Sequence, residues 1–212
     1  MALDSVREAA EVEVVGLLTT VNSEFDRVAM HGVRRALLRA QARALGLPLH
    51  EVELPWACSN EDYERLMGAA VARARGEGID VMVFGDLYLQ DVRDYRERAL
   101  AGSGIEPCFP LWGVPTADLA RQALSRGVKA IVACVDSAQV AEPIAGRWYD
   151  EALLASLPAG VDPCGENGEF HTVVVDGPGF QEPIAVRPGE VVTRDGFIFA
   201  DVLLADQDGP LQ

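Results

Sequence analysis

Hydrophobic positions along the chain fall into short β-branched runs that alternate with stretches of helical spacing. The run VEVVGLLTTV, residues 12–21, has strand length and strand composition. In HGVRRALLRAQARALGLPL the apolar Val33, Leu37, Leu38, Ala42 and Leu45 recur at helical spacing, with Gly46 as C-cap and Pro48 as stop. HEVELP predicts a short strand. SNEDYERLMGAAVARARGEGI predicts a helix capped by Ser59, with acids in its first turn and glycines at its exit. A buried strand DVMVFGDL follows and ends at Gly85-Asp86; then come the helix LQDVRDYRERALAGSGI and a short strand EPCFPLWG limited by Pro110. PTADLARQALSRGV predicts a further helix with Thr116 as cap, and KAIVACVD a further buried strand.

This alternation, up to about residue 136, predicts an α/β layer fold with a mainly parallel sheet. Such sheets bind ligands beyond the C-terminal ends of their strands. The residues there are Thr19 to Asn22, Gly85-Asp86 and Asp136. After Asp136 the pattern changes to a short helix and proline-bounded loop, GRWYDEALLASLPAGVDP. The strands FHTVVVDGP and GEVVTRDGFIFADVLL follow, with Arg194-Asp195-Gly196 as a hairpin turn. The expected division is an α/β domain over 1–137 and a small mixed lobe over 138–212. The tail ADQDGPLQ is expected to fray.

Charge narrows the partners. A net charge of −15 repels phosphate backbones and anionic lipid, which excludes non-specific nucleic-acid or membrane binding. A small anion remains acceptable, because helix N-termini and backbone N–H groups act locally. No apolar run approaches the roughly 20 residues that span a bilayer, and the acidic start MALDSVREAAEVE is neither a signal nor a transit peptide. Cys58, Cys108, Cys134 and Cys164 form no CxxC pair, which argues against a zinc ribbon or disulfide scaffold. The cytoplasm is the expected compartment.

Candidate chemistry concentrates in DPCGENGEFHTVVVDGP, residues 162–178. Glu166 and Glu169 lie three apart beside Asn167, between Gly165 and Gly168, whose backbones admit close approach of a ligand. The pair suits Mg²⁺ with phosphate oxygens, an ammonium group, or general-base work; a plain surface loop before a strand remains the alternative. Cys164 as a nucleophile has only His171 nearby, and that histidine also reads as structural. Arg93 and Arg96 share a helix face at i,i+3 and can meet an anion together, or be a solvated face laced with ion pairs. Trp112 reads as core, and His31 as a helix-start residue.

Taken together, MHGVRRALLRAQARALGLPL, FGDLYLQDVRDYRE, PLWG and CGENGEFHTVVVDGP resemble the diphthine–ammonia ligase family over nearly the whole chain. These are ATP-binding proteins of the PP-loop, adenine nucleotide alpha hydrolase-like superfamily. The block running from Gly165 to Pro178 is the most specific part. The resemblance implies a HUP-type, Rossmann-like α/β domain that binds ATP, with a small C-terminal lobe facing the nucleotide. It implies ATP-dependent amidation through an acyl-adenylate, releasing AMP and pyrophosphate, with Mg²⁺. Archaeal and eukaryotic members amidate diphthine on elongation factor 2; bacterial-type relatives need not share that substrate.

By the same resemblance Thr19, Thr20, Val21, Gly85 and Asp86 flank adenosine and the α-phosphate. Glu169, Glu166 and Asn167 form the catalytic set, with Glu169 first because Gly168 gives it room. His31, Arg93, Arg96, Gly165, Gly168 and His171 line the acceptor; metal ligands stay unassigned. The partners implied are a small-molecule or protein carboxylate and an ammonia or amine donor, with a homodimer left open. The family's SGGKDS-type phosphate loop is absent from these 212 residues, which begin in what resembles the helix after it. The expectation is therefore a late start at Met1, a gap in the sheet, and poor ATP binding. Two other readings stand beside this one. One is a non-catalytic adenine-nucleotide-binding or sensing module; the other is a divalent-metal hydrolase on Glu166, Glu169, His171 and Asp176, for which three histidines in all is few.

Overall fold

The computed structural model describes residues 1–29 and 31–205, and shows a mixed α/β protein built on three small sheets. The stretch expected to fray lies, from residue 206 on, outside the described residues. A short helix α1 (Ala2–Ala9) precedes β1 (Leu17–Asn22) and a two-residue β2 (Arg27–Val28). α2 (Arg35–Ala44) leads to β3 (Leu49–Leu54), which pairs parallel with β1 in register from Leu17↔Leu49 to Asn22↔Leu54. α3 (Asn60–Gly76) then leads to β4 (Val81–Val83), and α4 (Gln90–Leu100) to β5 (Glu106–Cys108), again parallel to β4.

The helix caps separate local signals from tertiary ones. Ser59 caps α3 as its sequence predicts, its hydroxyl accepting from the Asp62 N–H. Thr116 does not cap α5 (Thr116–Ser125): Pro115 holds the N-cap position and no side chain caps that end. Pro115 brings a φ of −57°, already close to what a helix entry needs. α3 packs on both parallel units. Tyr63, Leu66, Met67 and Ala70 meet Val52 and Leu54, while Val71 and Ala74 meet Met82, Phe84 and Ile105. No ladder joins β1–β3 to β4–β5 among the described residues.

β6 (Lys129–Asp136) departs from expectation. It does not extend a parallel sheet; it is an inner strand of a four-stranded antiparallel sheet, order β7-β6-β9-β8, with β7 (Phe170–Asp176), β8 (Val186–Arg194) and β9 (Phe197–Leu204). Its apolar run reflects burial on both faces. Ala130 and Val132 join a core with Ala120 of α5, Phe170, and Leu153 of α6 (Glu151–Ser156), while Ile131 and Ala133 pack with Val33 and Leu37 beside α2. A strand covered on both sides reads the same in sequence whether its partners run parallel or antiparallel. At the β8–β9 hairpin, Arg194 pairs with Phe197, and Asp195 and Gly196 take φ of 52° and 84°, the two left-handed residues of a type I′ turn.

Several contacts tie the amino-terminal units to this sheet. Asp201 on β9 accepts from Arg34 Nε at 2.9 Å, Arg34 Nη2 at 2.5 Å and Arg27 Nη1 at 3.1 Å. Gln41 Nε2 donates to the Val174 carbonyl at 2.7 Å, and the Gln181 N–H to the Ala44 carbonyl at 2.7 Å. His31, in the turn before α2, lies against His171 of β7 with ring centroids 4.2 Å apart. Beside it Gly32 runs so close to Phe199 that an added Cβ would fall 2.6 Å from the ring.

Burial opposes ionisation of Asp201, yet hydrogen bonds from Arg34 and Arg27 outweigh it and hold the carboxyl below its ordinary range. Asp201→Ala leaves two guanidiniums without their partner, and should lower unfolding free energy by roughly 1–3 kcal/mol, read from the urea midpoint. The histidine pair sets a pH dependence. The protein packed around His31, and then the neighbouring imidazole, lower its pKa to about 4; burial lowers that of His171. An unfolded chain takes up these protons near the ordinary value, about 6.5. Stability should therefore fall as pH drops from about 6.5 towards 4, and His31→Gln should flatten that slope in urea titrations across the interval.

Candidate functional site

The loop from Asp162 to Glu169 is shaped by a carboxylate at its base. Glu169 is 2% exposed, and its Oε1 accepts from the Asp162 N–H at 2.8 Å and from Asn167 Nδ2 at 3.0 Å. Its Oε2 accepts from the Asn167 N–H at 3.0 Å. Two turns complete the loop: the Gly165 N–H donates to the Asp162 carbonyl and the Gly168 N–H to the Gly165 carbonyl. Gly165 is required where it stands, since its φ is +68° and an added Cβ would lie 2.4 Å from the Phe170 carbonyl oxygen. Gly168 also has positive φ, at +82°, but faces open space.

Held in this way, Glu166 reaches across to the end of β4. Its Oε1 accepts from the Leu87 N–H at 2.6 Å, and the Tyr88 N–H beside it also favours the charged carboxylate. Tyr88 returns the contact, its hydroxyl donating to Asp162 Oδ2 at 3.3 Å. Burial, then the charges of Asp86 and Asp162, push the Glu166 carboxyl above its usual range despite the two backbone donors. Asp86 itself meets Arg96 Nε at 3.5 Å. The Gly85-Asp86 strand end and the glutamate loop are thus one site.

Not every predicted residue arrives there. Thr19, Thr20 and the fully buried Val21 stand on the β1–β3 unit, and no ladder joins them to β4 among the described residues. Asn167 is exposed, with its amide given to Glu169. His31 and His171 meet each other at the junction of α2 and the sheet. Arg93 and Arg96 project from α4 onto aromatic rings. The Arg93 guanidinium lies 4.9 Å from the Phe109 centroid and 4.8 Å from that of Trp112, and Arg96 lies 5.0 Å from Phe84.

Two chemistries lose their geometry. The Cys164 thiol donates to the Thr116 carbonyl at 3.4 Å, and burial followed by nearby negative charge pushes its pKa up to about 12, so it is no thiolate nucleophile. Glu166, Glu169, His171 and Asp176 are not gathered: Asp176 pairs with Lys129 at 2.8 Å, and no three His, Cys, Asp or Glu side chains cluster as metal ligands among the described residues. Sequence reasoning missed Leu87, Tyr88 and Asp162 as members of the site. Asp162 stood inside the glycine-rich block, but the backbone donors of Leu87 and Tyr88 have no side-chain signature.

Comparison with known proteins places the same loop in a named domain. Residues 116–200, from α5 through the glutamate loop into β9, match the family model for the diphthamide synthase C-terminal domain. Diphthine–ammonia ligase of Bos taurus is 30% identical over 148 residues, covering 67% of this chain and 54% of the relative. The Homo sapiens protein of that name is 28% identical over the same shares, and that of Rattus norvegicus 24% identical over 196 residues, covering 85% and 73%. The chain therefore spans about half the length of the bovine and human relatives it matches. With a match to that carboxyl-terminal domain folded as a clasp on a strand end, this chain is similar to the diphthine–ammonia ligase family.

Proposed function

We propose that the protein takes part in ATP-dependent, AMP-forming amidation of a carboxylate; its relatives are named as ligases of diphthine and ammonia. In balanced form, a carboxylate oxygen bonds to the α-phosphorus of ATP and pyrophosphate leaves. Ammonia then bonds to the acyl carbon, AMP leaves, and one proton is released. The observation that carries this reading is the Glu166–Leu87 hydrogen bond, which seats the family-matched loop on the Gly85-Asp86 strand end. The β1–β3 and β4–β5 units are read as parts of one HUP-type layer, whose strand ends take the adenosine side.

In this reading Glu166, half-buried and with its proton affinity raised by burial and by the charges of Asp86 and Asp162, is the group suited to take the proton that the attacking amine releases. Glu169 keeps the loop in shape and does not react, because its oxygens are already bonded within the loop. Mg²⁺ in such reactions is held by one or two carboxylates and substrate phosphates. Asp86 at the strand end would be the carboxylate for it, whereas a dedicated three-ligand cage is absent among the described residues. A second reading is a nucleotide-binding module without turnover.

Incubation with ATP, Mg²⁺, ammonium and a panel of carboxylates, a diphthine-bearing protein included, should yield AMP and pyrophosphate in step with amide. ATP that binds and survives unchanged with every carboxylate would support the second reading instead. Glu166→Ala should reduce turnover by about 10²-fold or more with the fold intact, in the range for loss of a proton-transfer group. Glu169→Ala should instead destabilise the protein by roughly 1–3 kcal/mol, since it leaves buried loop donors unpaired. Turnover and urea midpoints measured on both variants separate the two roles.

A further inference from the structure

Arg93 and Arg96 stand one helical turn apart on α4, and both guanidiniums lie over a continuous aromatic floor. Phe84 and Phe109 stack at 5.4 Å with planes 24° apart, and Trp112 meets Phe109 edge-on at 6.0 Å. Arg93 occupies the corner between Phe109 and Trp112, within 4.9 Å of both centroids. A guanidinium so placed is attracted by the rings, and a contact of this kind orders a long side chain in advance of binding. Placing two such cations side by side costs Coulomb energy, which an anion shared between them relieves.

The local counter-charges do not fill this role. Arg93 bonds Glu97 through Nε at 2.8 Å, and Arg96 reaches Asp86 through Nε at 3.5 Å. The terminal amino groups of neither arginine donate a hydrogen bond among the described residues. Their side chains keep 32% and 31% exposure, so solvent and ligands reach them. Several other basic side chains are held by carboxylates. Arg35 and Arg39 are bound to Glu51, Arg27 and Arg34 to Asp201, and the sole lysine of the sequence, Lys129, to Asp176. In a chain of net charge −15, this pair sets two guanidiniums side by side next to a strand end whose next residues hold Glu166.

The geometry points to an oxyanion subsite on α4, in which Arg93 and Arg96, held on the Phe84–Phe109–Trp112 floor, jointly grip a carboxylate or phosphate group of a bound substrate. The inference deepens the ligase reading by assigning the acceptor or phosphate end of the reaction to this shelf. Planar oxyanions suit it, because each terminal guanidinium edge offers paired N–H donors.

Trp112 reports on the shelf directly once the exposed Trp56 and Trp148 are replaced by Phe. Fluorescence of that protein is titrated at low salt with inorganic pyrophosphate and, separately, with succinate; the arm that saturates identifies phosphate or carboxylate as the source. Arg93→Ala and Arg96→Ala should each weaken binding on the order of tenfold, the loss of one or two charge-assisted hydrogen bonds. Arg93→Lys should weaken it as well, because an ammonium lacks the planar fork. Glu97→Gln should tighten it several-fold by removing the competing carboxylate. Circular dichroism checks that each variant is folded. No saturable change with either anion, or an affinity unmoved by both alanine variants, would overturn the proposal. The titration involves no turnover, so a silent ligase assay leaves its result standing, and the reverse.

Discussion

A buried carboxylate is costly unless hydrogen bonds replace the water it gives up. Glu169 meets that condition within its own loop: three donors from Asp162 and Asn167 surround it, and no arginine or lysine is needed. The constraint fixes more than the loop. With Glu169 drawn inward and Gly165 forced into a left-handed turn, Glu166 points outward from the sheet to the backbone of Leu87 and Tyr88. Two segments separated by 79 positions in sequence are thereby joined at one strand end.

The rest of the site follows from that join. Tyr88 is brought to Asp162, Leu87 is buried with Leu111 and Leu119 beside Cys164, and α4 starts with Arg93 and Arg96 turned onto their aromatic floor. The antiparallel sheet that carries the loop is itself anchored to the amino-terminal units through Asp201 and the histidine pair. The chemistry of Glu166 thus depends on tertiary placement, since burial and the neighbouring Asp86 and Asp162 raise its proton affinity.

What the sequence disclosed was mostly local. Ser59 with its first-turn acids, the Asp195-Gly196 hairpin and the alternation up to β5 each carry their cause within a few residues. β6 did not, because an apolar run records burial on two faces and is silent about partner direction. The glutamates were the same kind of problem. Three-residue spacing showed that Glu166 and Glu169 are related, but only the fold shows that one faces inward and the other outward. Gly168 precedes Glu169 but faces open space, whereas Gly165 is the glycine whose position no side chain tolerates. The resemblance to the family located the block; it did not rank the residues inside it.

The account rests on Glu169 shaping the loop that lets Glu166 hold Leu87. Amide hydrogen exchange at Leu87 and Tyr88 tests this most directly, because it reads the two N–H groups at the join. Both amides should be protected in the native protein and lose protection in Glu166→Ala. They should lose it to a similar degree in Glu169→Gln, where Glu166 is still present but its loop is not held. Native-like protection of Leu87 in folded Glu169→Gln would contradict the account.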